Sequence, residues 1–392
     1  VYINKMNSFN FNTTPGIIFG NGVSIKSCDK IIDKLGNNIF LITDPGLTKI
    51  GLNKPIIDDL SKYSNLEVFD DVESDPSKET LIKALDKAKI LKPTGILGFG
   101  GGSSMDIAKL VSLLLGTEQS IENIWGVGNA KGPRLPLVLI PTTAGTGSEV
   151  TPISIITIED DQKKGVSSPI ILPDLAVLDP ELTLNLPSDI TAATGIDAMV
   201  HGIEAYTSIN DNNNPISKLL AIESLKLLGT SIEAAVFDGQ NIEARNNMLL
   251  GSMMAGQAFA NSPVAAVHAL AYPIGGIFHI SHGLSNALVL PHVLRFNAAN
   301  AKVCEQYAFL APLIFKDVNL NTNSKIICNE FINRLENLST ILNIPSRLRD
   351  LNIPKDACVM MAKESMKQTR LLVNNPREVK EKDALNIYNA AW

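Results

Sequence analysis

The sequence predicts a chain in two parts: an α/β half built on a mainly parallel sheet with helices on both faces, then an all-helical half. Three observations predict this. In the first half, short continuous apolar runs alternate with helical patterns, as expected of strands covered on both faces. Beyond about residue 185 no convincing strand pattern occurs. The 392 residues, 45% apolar and 19% charged, suffice for two ordinary domains and a large buried core.

The elements follow in order. Residues 38–43 (NIFLIT) form a β-rich run that ends in a turn at Asp44-Pro45-Gly46. Residues 79–90 carry apolar side chains at helical spacing. Residues 95–99 (GILGF) and 135–140 (LPLVLI) are further strands, and 176–178 (AVL) is the last good candidate. After Asp179-Pro180 the pattern turns helical over 190–207, 215–237, 242–259, 322–342 and 355–367, with 210–214 (NDNNN) as an exposed loop. The domain boundary is placed at 184/185, giving 1–184 and 185–392.

Composition narrows the function. The 34 Lys and Arg against 40 Asp and Glu give a net charge of −6, and no basic run stands out. That disfavours nucleic acid and anionic membrane as partners. Cys28, Cys304, Cys328 and Cys358 lie far apart with no CxxC pair. A zinc knuckle and a disulfide-stapled secreted domain are both disfavoured, and a reducing, cytoplasmic location is expected. The N-terminus shows no secretory pattern. Met6 is the expected natural start, with residues 1–5 a non-native remnant. Residues 246–294 contain no Asp, Glu, Lys or Arg, yet hold four of the five histidines. Polar residues interrupt the stretch, so it reads as a buried, polar-studded core and not as a bilayer span.

Two glycine-rich turns follow strands. The run Gly98-Phe99-Gly100-Gly101-Gly102-Ser103-Ser104 opens a helix over 105–115. Successive glycines allow close approach of a ligand, and the helix start offers free N–H groups and a positive dipole end to a phosphate. The second turn, Pro141-Thr142-Thr143-Ala144-Gly145-Thr146-Gly147-Ser148-Glu149, offers hydroxyls and glycines to a pyrophosphate or ribose. Two such turns at the carboxyl ends of parallel strands suit a nucleotide crevice. GxGxxG and Gly-Lys are both absent, which removes the common dinucleotide fingerprint and the Walker A loop. Asp44 ends a strand. It is either a ribose-binding carboxylate that repels a 2′-phosphate or a plain turn or cap residue.

Asp197 and His201 stand four apart and share one helical face. His268 and His282 lie in the charge-free stretch, fourteen apart, and reach the pair only through tertiary folding. One carboxylate and three imidazoles make a site for a divalent metal such as Fe²⁺ or Zn²⁺. His279, three residues before His282, ranks below His268 as a ligand. His292 is expected to begin a helix and to bond locally. Glu149 and Glu204 are left open between orienting a ligand and pairing with a cation.

At these residues the chain resembles the iron-containing, group III alcohol dehydrogenases, which include lactaldehyde reductase and 1,3-propanediol dehydrogenase. The likeness rests on Gly100–Lys109 (GGGSSMDIAK), 141–151 (PTTAGTGSEVT), 194–208 (TGIDAMVHGIEAYTS), 267–297 and 375–392. It implies a Rossmann-like, dehydroquinate synthase-like dinucleotide domain, a helical metal and substrate domain, and an active site between them. The family's metal ligands fall on Asp197, His201, His268 and His282. Its cofactor contacts fall on Asp44, Gly101, Gly102, Ser103, Thr142, Thr143, Thr146 and Lys164, with the acidic Asp44 favouring NAD over NADP. Tyr272 replaces a histidine of relatives, so Tyr272 and His279 are the candidates for the proton path. Asp75-Pro76 and Ile153 also depart from relatives, whereas Phe259, Leu371 and Leu372 fall on pocket-lining positions. The resemblance implies metal-dependent, NAD-linked interconversion of small primary alcohols or diols with aldehydes, in a homo-oligomer. The alternatives are a glycerol dehydrogenase-type enzyme, a hydroxyacid–oxoacid transhydrogenase, or a dehydroquinate synthase-like lyase.

Overall fold

The computed structural model describes residues 8–158 and 163–392. The expectation about Met6 and residues 1–5 lies outside the described residues. The described chain divides into two compact units: Asn12–Asn185, and Leu186–Trp392 together with residues 8–11.

The first unit contains nine strands among its described residues: β1 Gly16–Phe19, β2 Asn38–Ile42, β3 Asn65–Phe69, β4 Gly95–Gly100, β5 Gly126–Val127, β6 Leu137–Pro141, β7 Ile153–Thr157, β8 Lys163–Ser167 and β9 Leu175–Leu178. Six of them form one sheet in the order β1-β9-β6-β4-β2-β3, and each pairing in it is parallel. The helices of this unit are α1 Val23–Lys26, α2 Cys28–Leu35, α3 Pro45–Ile50, α4 Lys54–Leu60, α5 Lys78–Leu91 and α6 Gly102–Gly116. Alternating side chains feed two separate cores. Phe40 and Ile42 join Leu81, Ala84, Leu110 and Leu139 on one face. Ile39 and Leu41 join Ile31, Leu35, Ile56 and Val138 on the other. A strand buried on both faces reads as a continuous apolar run, and this is why β2, β4, β6 and β9 were visible in the sequence.

Other strands were not visible. β1 and β3 are edge strands of mixed burial, so neither carries a long apolar run. β5, β8 and β7 form a small second sheet in which β7 and β8 pair antiparallel. The Asp44-Pro45-Gly46 turn is corrected. Asp44 is the N-cap of α3, with Pro45 in the first helical turn, where a missing N–H costs nothing. Helix α6 begins at Gly102, three residues before the expected start.

The second unit is all helical: α7 Ser188–Thr207, α8 Pro215–Phe237, α9 Ile242–Asn261, α10 Ala266–Phe278, α11 His282–Asn297, α12 Ala301–Ile314, α13 Ser324–Ile341, α14 Ala357–Ser365, α15 Thr369–Leu372 and α16 Glu381–Ala391. Helix α7 is its centre, with Ala192, Met199, Val200 and Ile203 buried. Its small residues admit the neighbours: a Cβ on Gly195 would lie 2.7 Å from Met248, and one on Gly202 3.0 Å from Leu225. His292 does not begin a helix. It sits buried inside α11, and burial pushes its imidazole down to about 4, so it is neutral at neutral pH. Among the described residues no helix is long and apolar enough to cross a membrane.

Candidate metal centre and nucleotide-binding turns

Three helices of the second unit build the candidate metal centre. Asp197 and His201 project from one face of α7, one turn apart. His268 comes from the first turn of α10, and His282 is the first residue of α11. One ligand atom from each residue falls in a group whose members all lie within 4.8 Å of one another. Around Asp197 Oδ1 the Nε2 atoms of His201, His268 and His282 stand at 4.0, 3.9 and 3.8 Å. Bonds of about 2.0–2.2 Å to a tetrahedral cation imply edges of about 3.3–3.6 Å. The edges from Asp197 are therefore a few tenths of an ångström wider than a bound ion needs, and the widest separation in the group, up to 4.8 Å, is about 1 Å wider.

The donors are also prepared for a cation. His268 Nδ1 and Glu204 Oε2 are 2.7 Å apart. Glu204 further accepts from the backbone N–H of Ala265 and Val267 at 2.9 and 2.7 Å, and this fixes it as the acceptor from Nδ1–H. The bare lone pair then lies on Nε2, which is buried and has no hydrogen-bond partner. An orphaned buried acceptor is costly unless an electrophile meets it, so the residues fit a metal. Burial alone would raise the Asp197 carboxyl. The imidazoles of His201, His282 and His268, with the Asn286 amide, instead hold it below its usual range. Asn286 Nδ2 donates to Asp197 Oδ1 at 2.6 Å. The Phe259 ring stacks on His201 with centroids 4.2 Å apart and shields that side. His282 is the open side, with 34% of its side chain exposed.

Tyr272 lies one turn beyond His268 on α10, its ring centroid 6.1 Å from that of His282. Arg370 Nη2 is 3.5 Å from its hydroxyl. His279 stands apart from the four-ligand group. It is exposed and caps α10 in the left-handed conformation, φ 56°. Glu204, left open by the sequence, is the orienting carboxylate. Its signal was its place on α7, three residues after His201. Asn286, one turn after His282, carries a similar signal.

In the first unit, β6, β4 and β2 are neighbours in the sheet, so their carboxyl ends place Pro141, Gly100 and Asp44 side by side. Gly100 has φ 149°, a conformation that favours glycine. A Cβ there would lie 3.4 Å from Asp44 Oδ2, and one on Gly102 would lie 3.0 Å from Thr146 Cγ2. Thr143 comes within 3.7 Å of the Cβ position of Gly101. The Thr142 N–H donates to the Gly100 carbonyl at 3.0 Å. Asp44, Gly101, Gly102, Thr142, Thr143 and Thr146 are thus brought together. Ser103 stands in the first turn of α6. The N-cap Gly101 supplies no side-chain cap, and Ser104 Oγ is buried without a partner. Free helix-start N–H groups, a cradle without side chains and an orphaned hydroxyl fit a phosphate. Asp44 Oδ1 accepts from the Leu47 N–H at 3.0 Å, which leaves Oδ2 free of the cap. Lys164 lies on β8 with its ammonium 5.3 Å from the Trp125 ring centroid.

Comparison with known proteins places the chain in a family. Residues 14–180 match the family model for iron-containing alcohol dehydrogenase, and residues 191–392 that for the C-terminal part of the Fe-containing alcohol dehydrogenase family. Long-chain-alcohol dehydrogenase 1 of Geobacillus thermodenitrificans is 38% identical over 369 residues, 92% of this chain and 91% of that one. A solved 1,3-propanediol oxidoreductase superposes with a TM-score of 0.93 at 30% identity, covering 98% of this chain and all of that one. The sulfoacetaldehyde reductase of Bifidobacterium kashiwanohense, solved in complex with NAD⁺, gives a TM-score of 0.86 at 27% identity over 98% of both chains. The chain belongs to the iron-containing alcohol dehydrogenase family, and it is an oxidoreductase of the alcohol dehydrogenase class.

Proposed function

We propose that this protein interconverts small primary alcohols or diols and their aldehydes with NAD(H), using a divalent metal held by Asp197, His201, His268 and His282. One observation carries the reading: three imidazoles and a carboxylate from three helices surround a common centre, and the buried Nε2 of His268 has no other partner. When bound, the metal supplies a Lewis acid for the alcohol or carbonyl oxygen, and the nicotinamide carries the hydride. Iron is the metal proposed, by the family the chain belongs to; zinc fits the same donors.

The chain's own residues do the remaining work. Glu204 holds His268 in the tautomer that leaves Nε2 bare. Asn286 orients Asp197. Phe259 keeps water from the His201 side. Asp44, Gly101, Gly102, Ser103, Thr142, Thr143, Thr146 and Lys164 are assigned to the dinucleotide. A carboxylate at Asp44, beside the Gly100–Gly102 turn, disfavours the 2′-phosphate of NADP. The proton path is assigned to the Tyr272 hydroxyl and the His279 ring. The half-open His282 side, next to Tyr272, supports that assignment. A cytoplasmic homo-oligomer completes the proposal. Four free cysteines suit a reducing compartment, and Leu219 and Phe309, 67% and 51% exposed, suit an interface.

The test couples metal analysis to a substrate screen. Purified protein is assayed with alcohols and aldehydes and with NAD(H) or NADP(H), before and after chelation. The expected outcome is NADH formation that disappears on chelation and returns with Fe²⁺. Full turnover by metal-free protein would refute the assigned role of the four ligands.

A further inference from the structure

Lys109 lies two turns into α6, the helix opened by the glycine turn, and is wholly buried. Its ammonium is fully partnered. It donates to Ser148 Oγ at 2.7 Å, to Thr151 Oγ1 at 3.3 Å and to the Ile153 carbonyl at 2.7 Å. Ser148 belongs to the second glycine-rich turn, and Thr151 and Ile153 to the segment that follows it. Asp106, one turn earlier on α6, stands 3.8 Å from the same ammonium. It too reaches across: its Oδ1 accepts from Ser148 Oγ at 2.7 Å and its Oδ2 from the Ile155 N–H at 2.8 Å. Its carbonyl accepts from Ser154 Oγ at 3.0 Å. Glu149 is buried in the same segment, with its Oε1 unpartnered.

A buried lysine costs stability. The burial that surrounds Lys109 pushes its ammonium down to about 8, against the pull of Asp106 and Glu149. An apolar side chain would pack the same space more cheaply. What the charged pair adds is geometry. It joins the helix whose N-terminus forms one side of the nucleotide cradle to the loop whose Thr142, Thr143 and Thr146 form the other.

We propose that Lys109 and Asp106 are positioning residues for the dinucleotide, acting as an internal strut that sets the spacing between the Gly100–Gly102 turn and the Thr142–Ser148 loop. Neither residue is required to touch the coenzyme. The proposal rests on the nucleotide reading given above, and the experiment separates the two.

NADH binding is titrated by fluorescence on metal-loaded wild-type protein, Lys109→Met, Ser148→Ala and the double variant Asp106→Asn/Lys109→Met. Ser148→Ala removes one shared partner with little change in volume. The double variant removes both charges, so it remains informative should Lys109→Met alone fail to fold around an unpaired carboxylate. The expected result is a dissociation constant raised about tenfold in the Lys109 variants and several-fold in Ser148→Ala, with bound metal unchanged. In turnover, KM for NAD rises by the same factor and kcat moves much less, a split that general destabilisation would not produce. Folded, metal-loaded variants that bind NADH as tightly as wild type would overturn the strut. Wild-type protein that binds no NADH would overturn the nucleotide reading itself.

Discussion

His268 shows how one side chain prepares another to meet a cation. An imidazole bonded at Nδ1 to a buried carboxylate has its proton placed there, so Nε2 is left as a buried lone pair with no hydrogen-bond partner in the chain. Glu204 is itself immobilised by two backbone N–H groups at the start of α10. Replacing Glu204 by Gln keeps the shape and removes the charge. Metal affinity is expected to fall about 10- to 100-fold, measured by competition with a chromogenic chelator, and an unchanged affinity would remove Glu204 from the metal argument. The Asp197–His201 pair and its spacing were legible in the sequence. The Glu204–His268 bond was not, because it joins residues 64 apart in the chain and no local pattern encodes it.

Elements decide whether the four ligands can meet. Helix α11 begins at His282, and the next residue is Gly283. A Cβ on Gly283 would lie 2.3 Å from the Ala193 carbonyl and 3.3 Å from Asp197 Cβ. The absence of a side chain there lets α11 start directly against α7 and delivers His282 to Asp197. Gly283→Ala is expected to push the two helices apart and to lose most bound metal, with a destabilisation of about 1–3 kcal/mol from overpacking. Elemental analysis and thermal melts check this, and a variant with full metal content would show that the contact can relax. The parallel strands act in the same way on the other unit. Neighbouring carboxyl ends of β2, β4 and β6 gather Asp44, the glycine turn and the threonines, which the sequence showed only as three separate strand ends. Asp44 illustrates the limit of local reading: it is the cap of α3, and it is also a neighbour of Gly100, a proximity that the strand end by itself does not reveal.

At the scale of the whole molecule, the buried Asp, Glu, Lys and Arg side chains among the described residues are Lys109, Glu149, Asp179, Asp197, Glu204 and Arg245, and Glu149 shapes the pH dependence of stability. Burial raises the Glu149 carboxyl from 4.5 to about 7. The folded chain therefore holds a proton that the unfolded chain has already released, and this contribution is full below about pH 4.5 and lost as pH rises to about 7. The melting temperature of Glu149→Gln relative to wild type is thus expected to increase between pH 5 and pH 7.5, followed by calorimetry. A constant difference across that range would contradict the raised carboxyl. The sequence alone determined the division into an α/β and a helical half, because continuous apolar runs and helical spacing are local consequences of burial. It also determined which residue types could bind phosphate or metal, since those depend on side-chain chemistry and short spacing. Only the tertiary structure decided that His268 and His282 join Asp197 and His201, that Glu204 bonds His268, and that Lys109 bonds α6 to Ser148 of the second glycine-rich turn. Those contacts come from the packing of helices and strands distant along the chain, and packing depends on the shapes of both partners together, which no single segment specifies.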